Sequence, residues 1–272
     1  MKTRKVERIQ HYHRLTAATL LCGGERLPLD CEMQRPGEDE VACGMRLLER
    51  VLRRFPRAFD LVLADALRCR ADFFNLATGR GKRVMGALKD ERRELMADAR
   101  GLFGERPEAV LEWDGVERRC WDMEGFRSWE GLDEAPEGVR VVRSVERSEV
   151  RRRNGGVEQN VSERIWATTI PKRRLGTEAI VRRGRARRAI ENEGGFNELV
   201  NVWRADHVHR RGVNAMPAFW LLAMLAFNVF HAFLSRNLKP ARRWAHAAKH
   251  WAEQIAAEFC LVVARPRSLR PP

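Results

Sequence analysis

At 272 residues the chain has room for one large α/β domain, or a core with an inserted subdomain. Its 51 Lys and Arg outweigh 37 Asp and Glu by a formal +14, which puts nucleic acid first among partners, ahead of an anionic membrane or an acidic protein. The six cysteines form no CxxC pair, which argues against a zinc module or disulfide framework and for buried free thiols in a reducing cytosol.

Arginine dominates the basic residues, and its rigid fork suits phosphate oxygens; a G+C-rich coding sequence would also favour it. The opening "MKTRKVERIQHYHR" has no apolar core of the signal-peptide kind. "HYHRLTAATLLC", residues 11–22, reads as a strand, "GGE" as a turn and "RLPLDCEM" as the returning strand, together an antiparallel hairpin at a sheet's edge. "PGEDEVACGMRLLERVLRRF" reads as a helix. Asp39 or Glu38 can cap it, and Val41, Met45, Leu48 and Leu52 share one face. "AFDLVLADAL", 58–67, is an apolar strand ending on Asp65, and "ADFFNLATGRGK" a short helix and turn. "RVMGALKDE" is a strand ending near Lys89 and Asp90, and "RRELMADARGLF" a helix. This alternation argues α/β.

From about 105 to 175 the chain turns β-rich, with Trp113, Trp121 and Trp129 in its first part. Arginines alternate with valines around 139–147, which predicts a strand with one wet basic face, turned to DNA or to solvent. After 177 the pattern is helical to about 263, and the tail "ARPRSLRPP" reads as loose. The run 215–234, "AMPAFWLLAMLAFNVFHAFL", nears the length of a membrane span. It contains Pro217, Asn228 and His231, so a helix buried against a sheet is expected. No cysteine or second histidine pair follows His207 and His209 at zinc-site spacing in the sequence.

Two acids stand out. Asp65 follows "LVLA", at the carboxyl end of a strand, where open α/β sheets place ligands; the plain alternative is that it caps the next helix. Glu191 lies in "RARRAIENEGGFNELV", one helical turn after Arg187, with which it could simply pair. Glu193 and Glu198 read as surface or rim charges, and Gly194–Gly195 as a bulge or kink.

Several blocks come in order: "HYHRLTAATLL", "RLPLDCEMQRPGEDEVACGMRLLERVL", "FDLVLADALRCRADFFNL", "KRVMGALKDERRELMADARGLF", "ARRAIENEGGFNELVNVWRADHVHR" and "NAMPAFWLLAMLAFNVFHAFLSRNLKP". Their order and spacing resemble the catalytic part of a bacterial insertion-sequence transposase of the DDE class, close to the IS4-like group. The resemblance implies an α/β, RNase H-like mixed sheet with flanking helices and a β-rich insertion. It divides the chain into a partial core (1–104), the insertion (105–176), a helical remainder of the core (177–263) and a flexible tail (264–272).

It further implies Mg²⁺ or Mn²⁺ held by Asp65 and Glu191 as the second and third catalytic acids. Arg187, Arg185, Arg188 and Lys89 would then lie along double-stranded DNA at insertion-sequence ends, in a synaptic homodimer of a bacterial, nucleoid-associated cytoplasmic protein with no membrane contact. Four positions depart from the family. Gly184 stands where it has tyrosine, Arg188 where it has tryptophan, and Glu198 near where it has lysine. The first acid has no counterpart: Glu7 is the only acid in the ten residues ahead of "HYHRL", so the first core strand is expected to be missing. The resemblance therefore implies an inactive or impaired transposase fragment. A noncatalytic DNA-binding fragment and a Mg²⁺-dependent nuclease of the same fold are the alternatives.

Overall fold

A computed structural model describes residues 13–89, 93–151, 157–192, 196–207, 212, 214–239, 243 and 245–264. Strands β1 (Leu15–Cys22) and β2 (Glu25–Met33) form an antiparallel hairpin through the Gly23–Gly24 turn. Helix α1 (Glu40–Arg54) begins at Asp39, whose carboxylate accepts the Ala42 N–H at 2.7 Å, so of the two caps the sequence offers Asp39 is the one used.

α1 lies on the hairpin through a ladder of charges. Asp30 and Glu32 alternate on one face of β2, and Arg46, Arg50 and Arg54 repeat every four residues on α1. Arg50 reaches both acids and binds Asp30 at 2.7 Å through its Nε, while Arg46 takes Glu32 at 3.1 Å. Between these acids Cys31 faces the other way, against Leu199, Met224 and Phe227. Burial, reinforced by the Asp30 charge, pushes its thiol up to about 12.

Strand β3 (Leu61–Ala64), helix α2 (Ala71–Thr78) and strand β4 (Arg83–Ala87) make a parallel crossover, followed by α3 (Arg93–Leu102). Residues 105–176 then supply β5 (Ala109–Trp113), β6 (Val116–Phe126), β7 (Val139–Arg151) and β8 (Val157–Thr168). All four join the core sheet in the order β3-β4-β8-β7-β6-β5, antiparallel from β4 onward. The chain is thus a mixed α/β protein with a six-stranded mixed sheet flanked by helices. The hairpin is not at that sheet's edge, as expected, but a separate two-stranded sheet. Among the described residues nothing pairs with β3 on its outer side.

Alternation sends Val139 and Val141 to one face of the sheet, with Phe74, Leu95 and Trp129. Val142 goes to the other, with Met85, Trp166, Ile180 and Val181. The latter two belong to helix α4 (Thr177–Asn192). β7 is therefore a central strand covered on both sides, and its expected wet basic face is not there at Arg140. That guanidinium is 2% exposed, because α4 and the loop before it close over it. Asp122 on β6 neutralises it (Nε to Oδ1, 2.7 Å), and the Leu175 carbonyl accepts a further bond at 2.6 Å.

Helices α5 (Phe196–Asn201), α6 (Ala215–Asn237) and α7 (Ala248–Ala264) complete the chain. α6 lies on β2, where Asn228 donates to the Pro28 carbonyl at 2.8 Å. Met224, Phe227 and Leu234 are its buried side. The expected burial holds for that side alone: Leu222, Leu225 and Val229 stand in solvent, 59–65% exposed. Among the described residues α6 is the one helix long and apolar enough to cross a membrane.

Candidate acid site and basic face

Asp65 stands one residue beyond β3 and does not cap α2, which begins after Arg70 without a side-chain cap. It closes the intervening turn instead. Oδ1 accepts the Arg68 backbone N–H at 2.8 Å, and Oδ2 accepts the Arg68 Nη1 at 2.6 Å. The same guanidinium donates through Nη2 to Glu40 on α1 (3.1 Å) and to the Thr16 hydroxyl on β1 (3.2 Å). One arginine thus joins the hairpin, α1 and the end of β3.

A glycine makes room for it. Gly44 sits inside α1, where it costs about 1 kcal/mol relative to alanine. A Cβ at that position would lie 2.6 Å from the Arg68 Nε. Sequence reasoning passed over Arg68, although its place three residues after Asp65 is a usual one for closing a carboxylate turn.

α4 carries the other acid. Thr177 near its start donates to Asp122 at 2.6 Å, level with the beginning of β7, while Arg185 pairs with Glu146 further along β7. The helix thus runs in the direction of β7, which is also that of β4 and β3. Its last turn, with position 191, points to the end of the sheet at which Asp65 follows β3. The side chains of Glu191 and Arg188 lie outside the described residues, as do Glu193, Gly194, Gly195, Asp90 and His209. The close packing of α4 also accounts for Gly184: a Cβ there would come within 2.4 Å of the Trp166 indole and 2.8 Å of the Met85 methyl, so no tyrosine fits this seat.

The basic face follows α4. Glu146, 6% exposed, is ringed by Arg185, by Arg118 at 3.6 Å and by Arg164 at 3.7 Å, one acid serving three arginines. Trp113 is clasped between the Arg118 guanidinium (3.7 Å to the ring centre) and that of Arg182 (4.2 Å). Desolvation, then the nearby Arg185 charge, lowers the Arg118 pKa. Arg187 is half-buried on α4, and Lys89 is exposed beyond the end of β4. Glu198 accepts from the Trp203 indole N–H (3.2 Å) and meets His231 Nε2 at 2.9 Å, tying α5 to α6.

No family model matches this chain, and no curated protein does.

The donors at Asp65 do not suit a divalent ion as they stand. A doubly charged ion on this carboxylate would lie about 5 Å from the Arg68 guanidinium, a repulsion of about 7 kcal/mol at an effective dielectric of 20. Mg²⁺ and Mn²⁺ take hard oxygens whose charge is free to meet theirs; the charge of Asp65 is already met.

Proposed function

We propose that this chain is a DNA-binding protein with a transposase-type core of the DDE class, impaired in phosphodiester chemistry. The observation that carries the reading is the arrangement beyond β3. Asp65 lies at the end of the sheet toward which α4 carries position 191, and an internal arginine meets its charge. The order of elements supports the RNase H-like part of the reading: a hairpin, a helix, a parallel crossover, a β-rich insertion and a returning helix.

Arg182, Arg185 and Arg187 along α4, with the charge excess around Glu146, supply the cationic surface a phosphate backbone requires. In this reading Lys89, Arg185 and Arg187 lie along the phosphate backbone. An acid already neutralised at the centre leaves binding without turnover.

The test is a salt titration of binding to double-stranded DNA, run beside a cleavage and strand-transfer assay in Mg²⁺ or Mn²⁺. The expected result is binding that falls steeply with salt, is unchanged in D65N and E191Q, and loses about one unit of log–log salt slope in R187A. No cleaved product is expected. Turnover that D65N abolishes would overturn the impairment; cleavage without strand transfer would favour the nuclease alternative. Salt-insensitive binding, or none, would remove the DNA reading.

A further inference from the structure

The mismatch between Asp65 and a divalent ion points to a role for Arg68. We infer that Arg68 is the resident cation of this acid site, a guanidinium fixed where a metal would otherwise be drawn. The inference rests on the geometry beyond β3 and holds whether or not the chain binds DNA.

Three features argue that the seat is built for a cation. First, Arg68 meets three oxygen-bearing side chains from three different elements: Asp65, Glu40 on α1 and Thr16 on β1. A surface pair would need only one. Second, the side chain is largely withdrawn from water, 15% exposed, and Asp65 is 24% exposed, so this pair is less screened than a surface pair; Glu40, 41% exposed, is the seat's solvent-facing acid. Third, α1 accepts a helix-weakening glycine at position 44, and any larger residue there would strike the guanidinium. These features also explain how the separate hairpin is held to the end of β3, a junction at which, among the described residues, no sheet hydrogen bonds are made.

A fixed cation has a consequence that a structural bridge does not. While Arg68 is seated, one guanidinium offsets one of the two carboxylate charges and hydrogen-bonds to both acids, so Asp65 and Glu40 offer a second cation one net negative charge rather than two. Once it is removed, two carboxylates and a hydroxyl remain around one vacated position, and like-charge repulsion between the acids favours uptake of a hard divalent ion.

The experiment uses the full chain and Mn²⁺ alone as probe, following free Mn²⁺ by electron paramagnetic resonance, with circular dichroism as a check on folding. The wild type is expected to show no binding that depends on Asp65. R68A is expected to bind Mn²⁺ at least about tenfold more tightly, and R68A/D65N to lose that gain. G44A, which keeps the charge but displaces the guanidinium, should show part of the gain. Asp65-dependent Mn²⁺ binding by the wild type, judged against D65N, would overturn the inference and needs no Arg68 variant to fold. A folded R68A with no gain would overturn it equally, because Arg68 would then be a bridge and nothing more.

Discussion

The six-stranded sheet with α4 and the hairpin with α6 both seat a helix on antiparallel strands, but they leave very different surfaces. α4 turns its small and apolar residues, Ile180, Val181 and Gly184, onto the sheet and keeps Glu178, Arg182 and Arg183 outside. α6 is apolar nearly all round, and its outer side stays in water. The cause is width. Strands lie about 4.8 Å apart, and a helix with its side chains is about 10 Å across. A two-stranded ribbon therefore covers one side of a helix and no more. The broad sheet closes over both partners of an ion pair, Arg140 and Asp122, whereas in the hairpin Asp30 is buried under α1 but its partner Arg50 stays 23% exposed.

This contrast can be broken or sharpened in three ways. The largest effect is expected at the buried pair. D122A would strand the Arg140 guanidinium, and urea unfolding should show a loss of about 3–5 kcal/mol. A near-neutral result would mean that water reaches Arg140, and that the broad half is no more closed than the narrow one. Next comes G184A. It gains helix propensity but drives a methyl into Trp166 and Met85, so a net loss of about 1–3 kcal/mol is expected, with a change in tryptophan fluorescence.

The smallest effect is expected in the hairpin half, at E25Q. Arg243 bonds both Glu25 oxygens, one at 2.7 Å, and Ser235 adds a bond at 3.0 Å. The Arg243 hydrogen bond, against some desolvation, holds the Glu25 carboxyl below the usual carboxylate range. A lowered folded-state pKa contributes stability above the unfolded value and loses it as pH falls through the folded one. E25Q should therefore cost up to about 1 kcal/mol near neutral pH. Its deficit should vanish on acidification below the ordinary glutamate range, as thermal melts across that range would show. A deficit that persists in acid would assign the effect to packing.

What could be read ahead of the structure was local. Asp39 capping α1, the Gly23–Gly24 turn, the strand before Asp65 and the β-rich character of 105–175 all follow from neighbours a few residues apart. The misses were long-range. Arg140 looked solvated because alternation marks a face without saying what lies over it, and α4 comes from beyond the end of β8. The Arg–Val pattern would look the same over solvent. The gap between hairpin and main sheet depends on pairing that no hairpin sequence records. α6 looked buried because its composition is, while the available cover is set by strand number. At the acid site, Asp65 was legible from strand and position. Arg68 was not, because Thr16 and Glu40 reach it from 52 and 28 residues away. The resemblance to transposases singled out Glu191, and α4 running along β4 could be seen only in three dimensions.

The interleaved strand order bears on how the chain comes off the ribosome. β4 finds its second neighbour, β8, only when Ala167 can meet Gly86, about 80 residues later in synthesis. At about 5–20 residues per second, that edge stays open for roughly 4–16 s. Beside it is the apolar sequence "RVMGA", which needs cover during that interval. Strands β6, β7 and β8, by contrast, pair in sequence as each one emerges. The β5–β8 segment is thus the last part of the sheet to be made and the part able to fold without waiting, and it closes the sheet that β3 and β4 began.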